Sequence, residues 1–189
     1  TSLAPEWAQD YFIGRPWMRT LKTSGGGVIS AQDIRIIDLF RRFLGDIEKV
    51  TALSTKSMSL DEQEGTEIED TAVTVLGFKK GAIGEITGTF AARDPYCYHT
   101  LRLFGSKGAI TVAGPPVPGP TVSDGKTVEP LRAGGDDSIR EEINHFVQCI
   151  SKNEEPLVTG LEGMKSLAGV EAAYKSIREE RVVYIDEVL

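Results

Sequence analysis

Apolar residues recur at two different periods along this 189-residue chain, and the change of period divides it. From Val28 to Gly45 they fall at Ile29, Ile36, Phe40, Phe43 and Leu44, the spacing of one helix face, and Gly45 supplies the stop. From Asp46 to about Val128 the composition turns to Thr, Val, Ile and Gly, cut by turn residues. Strands are predicted over EKVTALSTKSM, TAVTVLGF and AIGEITGTFA, the last two joined by a tight hairpin across Lys79, Lys80 and Gly81. HTLRLFG and AITVAG flank Ser106, Lys107 and Gly108 as another hairpin, and TVSDGKTVE turns at Asp124 and Gly125. Successive hairpins imply a largely antiparallel sheet.

The helical period returns in the last third. Ser138 and Glu141 form an S-x-x-E box ahead of Ile139, Ile143, Phe146, Val147 and Ile150. Thr159 and Glu162 repeat it before Leu161, Met164, Leu167, Val170, Tyr174 and Ile177, which predict one buried face. RVVYI is a final short strand able to join the sheet. Residues 1–24, with Trp7, Trp17, Tyr11, Phe12 and two prolines but no sustained period, read as an extended arm; 25–189 read as a single α+β domain.

Composition narrows the partners. A net charge of −7 with no Lys/Arg cluster argues against a nucleic-acid or anionic-membrane surface, because phosphate binding needs concentrated positive charge. No apolar run approaches the roughly 20 residues needed to span a bilayer. Two cysteines, Cys97 and Cys149, fit a reducing, cytoplasmic setting, and the N-terminus lacks the basic start and apolar centre of a signal peptide. The first residue is Thr in place of Met, which reads as a piece of a longer protein.

Candidate chemistry is sparse. Two histidines and two cysteines without C-x-x-C or H-E-x-x-H spacing offer no metal site. His145 reads as a partly exposed helix residue, and His99, in YCYHT, as strand packing. GGGVIS approaches a dinucleotide fingerprint, but Ser30 replaces its last glycine, no good strand precedes it and no βαβ unit follows, so it is not a cofactor loop. It reads as a flexible lead-in that lets the arm approach the helix closely. The helix N-terminus that follows presents free N–H donors to an anion or a hydroxyl-rich ligand. Arg35 and Asp38, three apart, share that helix's face at the spacing of a surface ion pair, and Asp38 also precedes Arg41 and Arg42 at pairing distance.

Three segments together resemble the C-terminal domain of the glucose-fructose oxidoreductase, inositol dehydrogenase and MocA-like family: GGGVISAQDIRIIDLFRRFLGDIEKVTA; EIEDTAVTVLGFKKGAIGEITGTFAA with LRLFGSKGAITV; and REEINHFVQCISKNEEPLVTGLEGMKSLAGVEAAYKSIREERVVYI. The resemblance implies an open, mainly antiparallel β-sheet with helices packed on one face. It also implies that the cofactor half, a Rossmann domain with a lysine in an E-K-P motif, lies outside this chain. The chain is then the substrate-binding and dimerisation half of an NAD(P)-dependent dehydrogenase acting on a sugar, sugar acid or polyol. NAD or NADP would bind the intact parent and not this chain alone.

The family usually places an acid and a histidine four residues apart on this helix, as D-x-x-x-H-x-x-D; here those positions hold Ala31 and Arg35, with only Asp38 retained. Alcohol oxidation needs a proton acceptor, which a guanidinium is not, and Asp33, two residues from Arg35, points to another side. No catalytic residue is therefore assigned. Arg35 is suited to grip a carboxylate or phosphate, so the implied substrate includes acidic sugars, with Asp38, Trp17, Arg19 and His99 near the pocket. A homo-oligomer is expected through the uncovered sheet face, from strands carrying Val73, Val75, Ile83, Ile86, Leu101 and Leu103. The alternative favoured by Ala31 and Arg35 is a non-catalytic member serving as an interaction or scaffold module.

Overall fold

The computed structural model describes residues 15–56, 66–91, 100–113, 119–131 and 137–189. The chain divides into two compact units, Thr1–Tyr98 with Met164–Leu189, and His99–Gly163. The open, antiparallel α+β character expected from the sequence is present, and the described strands form two four-stranded antiparallel sheets.

In the first unit the described part of the arm is not extended. Pro16–Arg19 form a 3₁₀ turn and Leu21–Ser24 a single helical turn. Pro16 explains the first, since its ring pre-sets the backbone angle of a helix start. A wide π turn, Ile29–Asp33, then leads into α1, Ile34–Leu44. Strands β1 (Ile47–Thr55), β2 (Thr71–Phe78) and β3 (Ile83–Thr89) follow, and β8 (Val183–Tyr184) closes the sheet in the order β3-β2-β1-β8. The β2–β3 hairpin turns as expected: Gly81 adopts φ 86° and its N–H bonds Phe78 O at 2.8 Å. Glu48 is an extra residue between the Ile47–Phe78 and Lys49–Gly77 pairs, a bulge at the start of β1.

One face of this sheet is covered. Val50, Ala52, Ala72, Leu76, Phe78 and Ile86 are buried there. Helix α1 lies close: a Cβ on Gly84 would sit 2.9 Å from the Phe40 ring, and one on Gly88 2.4 Å from the Asp33 carboxylate. The opposite face carries Val73 and Ile83 outward, with Lys49, Thr51, Leu53 and Glu85 among their neighbours. Ile86, grouped with them in the sequence reading, points instead into the core, because it alternates with Glu85 and Thr87. Leu101 and Leu103 belong to the other sheet.

The buried stripe of α1 also differs from the sequence reading. Ile29, Asp33, Ile37, Phe40 and Arg41 are buried, whereas Phe43 is exposed and Ile36 only half-buried. The π turn takes up an extra residue between Ile29 and Asp33, which puts both on the face that Ile37, Phe40 and Arg41 continue at ordinary α-helical spacing. In α3 (Gly160–Glu179) the inward face is made of small residues, Ser166, Ala168, Gly169, Val170, Ala172, Ala173 and Ser176. Leu161, Met164 and Leu167, expected inside, are exposed. Close approach explains the choice, since a Cβ on Gly169 would meet Ile37 at 3.0 Å and Ile47 at 3.2 Å.

The second unit holds β4 (Thr100–Gly105), β5 (Gly108–Ala113), β6 (Thr121–Ser123) and β7 (Val128–Pro130), paired in that order, and α2 (Ser138–Lys152). Asp124 makes the β6–β7 turn: its Oδ1 accepts the N–H groups of Lys126 and Thr127, both at 2.8 Å, which hold its carboxyl below the usual range. The box expected at Ser138 does not form. Ser138 is already helical, Asp137 occupies the cap position, and its carboxylate pairs with Arg140 at 2.9 Å. Thr159 does cap α3, accepting the Glu162 N–H at 3.4 Å. Among the described residues no helix is long and apolar enough to cross a membrane.

Candidate functional site

The start of α1 is built on a close approach that only glycine permits. A Cβ on Gly27 would lie 1.8 Å from the backbone oxygen of Glu69, and one on Gly26 1.8 Å from the Tyr174 hydroxyl. The Gly-rich lead-in permits a close approach, but of Glu69 and Tyr174 to the glycines, not of the arm to the helix as the sequence suggested.

Its amide donors are not open to a ligand, contrary to expectation. The buried Glu69 carboxylate accepts the Gly27 N–H at 2.9 and 3.0 Å and the Ile29 N–H at 3.1 Å. Tyr174 donates its hydroxyl to Glu69 Oε1 at 2.8 Å and accepts from Gly27 N–H at 3.1 Å. A carboxylate at a helix N-terminus satisfies orphan donors and complements the helix dipole, so the protein supplies its own anion here. Burial, and then the Glu69 charge, pushes the Tyr174 hydroxyl well above its usual range and keeps it a proton donor. With these amides filled, the glycine turn does not fit a pyrophosphate.

The positions singled out on the helix separate. Ala31 is half-buried, and its N–H bonds Gly27 O at 2.9 Å. Arg35 is exposed and donates from Nη2 to Ala31 O at 3.2 Å. Asp38 pairs elsewhere: it accepts the Ser166 hydroxyl at 2.7 Å and lies 3.8 Å from Arg41 Nη1. Arg41 is buried, donates to Ser166 at 2.8 Å and reaches Asp46 at 3.3 Å. The surface pairs expected of Asp38 are thus a partly buried network that fastens α1 to α3. Asp33 is buried against Gly88, on a different side from exposed Arg35, as the two-residue spacing predicts.

Trp17 and Arg19 sit on the short turns of the arm. Trp17 is exposed; its carbonyl accepts the Thr23 hydroxyl. The Arg19 carbonyl accepts the Glu67 N–H at 2.8 Å, and Glu67 Oε2 accepts the Leu21 N–H at 3.0 Å. The segment 66–70 thereby holds both the arm and the start of the α1 helix. His99 and Cys97 lie outside the described residues. His145 is exposed, and its Nε2 accepts the Leu157 N–H at 3.0 Å. No group of three or more His, Cys, Asp or Glu that could hold a metal ion occurs among the described residues.

A cleft of about 530 Å³ opens beside this arrangement, lined in part by Lys56, Glu67, Glu69, Glu171, Tyr174 and Arg178. Of the described residues predicted for the pocket, Trp17, Arg19, Arg35 and Asp38, none lines it. Glu69 is the residue that sequence reasoning missed. Its signal was indirect: a glycine-rich helix start with no Ser, Thr or Asp cap of its own needs an acceptor from elsewhere, and EIED supplies one.

Known proteins resemble this chain along most of its length. Myo-inositol 2-dehydrogenase of Thermotoga maritima is 32% identical over 177 residues, covering 87% of this chain and 51% of that protein. A probable dehydrogenase from Thermotoga maritima matches in structure with a TM-score of 0.69 and 30% identity, over 87% of this chain and 51% of that one. The WlbA dehydrogenase from Bordetella pertussis, solved in complex with NADH and UDP-GlcNAcA, matches with a TM-score of 0.74 and 25% identity, over 93% of this chain and 51% of that one. The chain spans about half the length of the curated relatives it matches. Residues 5–185 match the oxidoreductase family's C-terminal alpha/beta domain, and the chain belongs to that family, which includes the inositol dehydrogenases.

Proposed function

We propose that this chain is the substrate-binding and dimer-forming half of an NAD(P)-dependent oxidoreductase acting on a sugar, sugar acid or polyol. In this reading residues 25–189 work as one substrate-side domain and 1–24 as its arm. NAD or NADP is carried by the rest of the parent protein. The observation that carries the reading is Arg35: a charged, exposed side chain on the first turn of α1, where its family position usually holds histidine. Its bond to the Ala31 carbonyl uses one of five donors, which leaves the fork able to grip a carboxylate or phosphate. The reading also assigns Trp17, Arg19, Asp38 and His99 to substrate binding. The acidic nucleotide sugar bound by the WlbA dehydrogenase supports an anionic substrate.

The test is a screen of the full-length parent against polyols, sugars, sugar acids and nucleotide-sugar acids with both nicotinamides. On the substrate found, Arg35→Ala should raise KM, since the substrate's anionic group loses its two-pronged guanidinium partner. Unchanged kinetics in that variant would remove Arg35 from the site. A second reading, an interaction module without catalysis, is favoured by Ala31, because neither it nor Arg35 can accept a proton. Absence of nicotinamide reduction with every substrate would favour that module.

A further inference from the structure

Resting on that reading, we infer that Glu69 is a positioning residue for Arg35, holding its guanidinium in place through the start of α1. The π turn and α1 have no side-chain cap of their own, and Gly26 and Gly27 leave no room for one, since a Cβ on either would lie 1.8 Å from its neighbour. The acceptor comes instead from a residue 40 to 42 positions away. Glu69 takes three successive amides: its carboxylate accepts the Gly27 and Ile29 N–H groups, and its backbone oxygen accepts the Val28 N–H at 3.2 Å. Tyr174, reaching in from α3, donates to the same carboxylate and fixes its orientation.

From these amides the hold passes to Arg35 in two links. The Gly27 carbonyl accepts the Ala31 N–H at 2.9 Å, and the Ala31 carbonyl accepts from Arg35 Nη2 at 3.2 Å. The Gly27–Val28 peptide is thus held at both ends, its N–H by Glu69 and its C=O by Ala31. Among the described residues Glu69 and Arg35 share no direct bond, so any influence of one on the other runs through the helix start. An exposed arginine has many rotamers, and ordering it on binding costs affinity. A guanidinium tethered to a carbonyl that is itself fixed meets an anion already oriented. Releasing Glu69 takes the acceptor from the first N–H of the π turn, and the Ala31 carbonyl, two residues on, shifts with it. A misplacement of about 1 Å at a supporting group can cost about 100-fold.

A double-mutant cycle in the full-length parent, on the substrate identified by the screen, tests this. Glu69→Ala should raise KM several-fold to about 100-fold with kcat changed far less, as expected when binding of the substrate is weakened uniformly. Arg35→Ala should raise KM at least as much, and the double variant should be no worse than Arg35→Ala alone, because Glu69 acts through that guanidinium. Glu69→Gln, which keeps one acceptor oxygen, should restore part of the loss. Tyr174→Phe removes one bond to the carboxylate and should raise KM less than Glu69→Ala; where Glu69→Ala does not fold, it takes that variant's place in the cycle. Losses that add across the cycle would make Glu69 a structural support only and overturn the inference, as would an unchanged KM in the Glu69 variant while Arg35→Ala raises it. An Arg35→Ala parent with unchanged KM refutes the underlying reading first, and the inference with it.

Discussion

Removing the Glu69 carboxylate should expose how the start of α1 is held. In Glu69→Ala the N–H groups of Gly27 and Ile29 and the hydroxyl of Tyr174 lose their acceptor. Tyr174 still accepts from Gly27, so two donors are left needing partners. Each unsatisfied buried donor costs about 1 to 3 kcal/mol, and a carboxylate at a helix N-terminus contributes about 0.3 to 1 kcal/mol more. The loss should total about 2 to 7 kcal/mol, which in a chain of this size lowers Tm by roughly 4 to 28 °C. Glu69→Gln keeps one acceptor oxygen and should lose about half as much. Urea titration of the three proteins, with hydrogen exchange read at Gly27 and Ile29, measures both quantities. A double-mutant cycle with Tyr174→Phe should be non-additive, because both side chains serve one network. Equal stabilities for the Ala and Gln variants, or additive behaviour in the cycle, would refute the reasoning.

The same network yields a sharper steric test. Gly27→Ala puts a methyl 1.8 Å from the Glu69 backbone oxygen and should destabilise by at least about 2 kcal/mol, whereas Gly160→Ala, with open space around it, should be neutral in the same melts. Tyr174 predicts an alkaline limb: the unfolded chain loses this proton near the ordinary value of 10.0 while the native state keeps it, so the native state holds more protons and stability falls as pH rises past 10. Tyr174→Phe should flatten that limb in urea midpoints taken between pH 9 and 11; an identical limb would reject the burial argument. For the open sheet face, light scattering should give a dimer, and Leu53→Glu or Ile83→Glu should shift it toward the monomer, since both are largely exposed and isoleucine is costly to leave in water. A monomer at micromolar concentration in the unmutated chain would remove the sheet from the assembly.

Much of the architecture could be read from residue order, because its causes are local. Lys79–Gly81 and Asp124–Gly125 make their turns through backbone freedom and short side-chain bonds. The alternation in TAVTVLGF decides which residues can face the core, and RVVYI pairs with β1 as its composition suggests. What the tertiary structure decided depends on partners distant in sequence. Asp38 meets Ser166 across 128 positions, and Tyr174 meets Glu69 across 105. No window of local pattern contains both members of such a pair, so a surface ion pair and an open helix N-terminus were the natural readings. The small-residue face of α3 was hidden for a related reason. Hydrophobic spacing marks where large side chains recur, but Gly169 is buried because Ile37 and Ile47 come within contact of its backbone, a condition that exists only after α1, β1 and α3 have assembled.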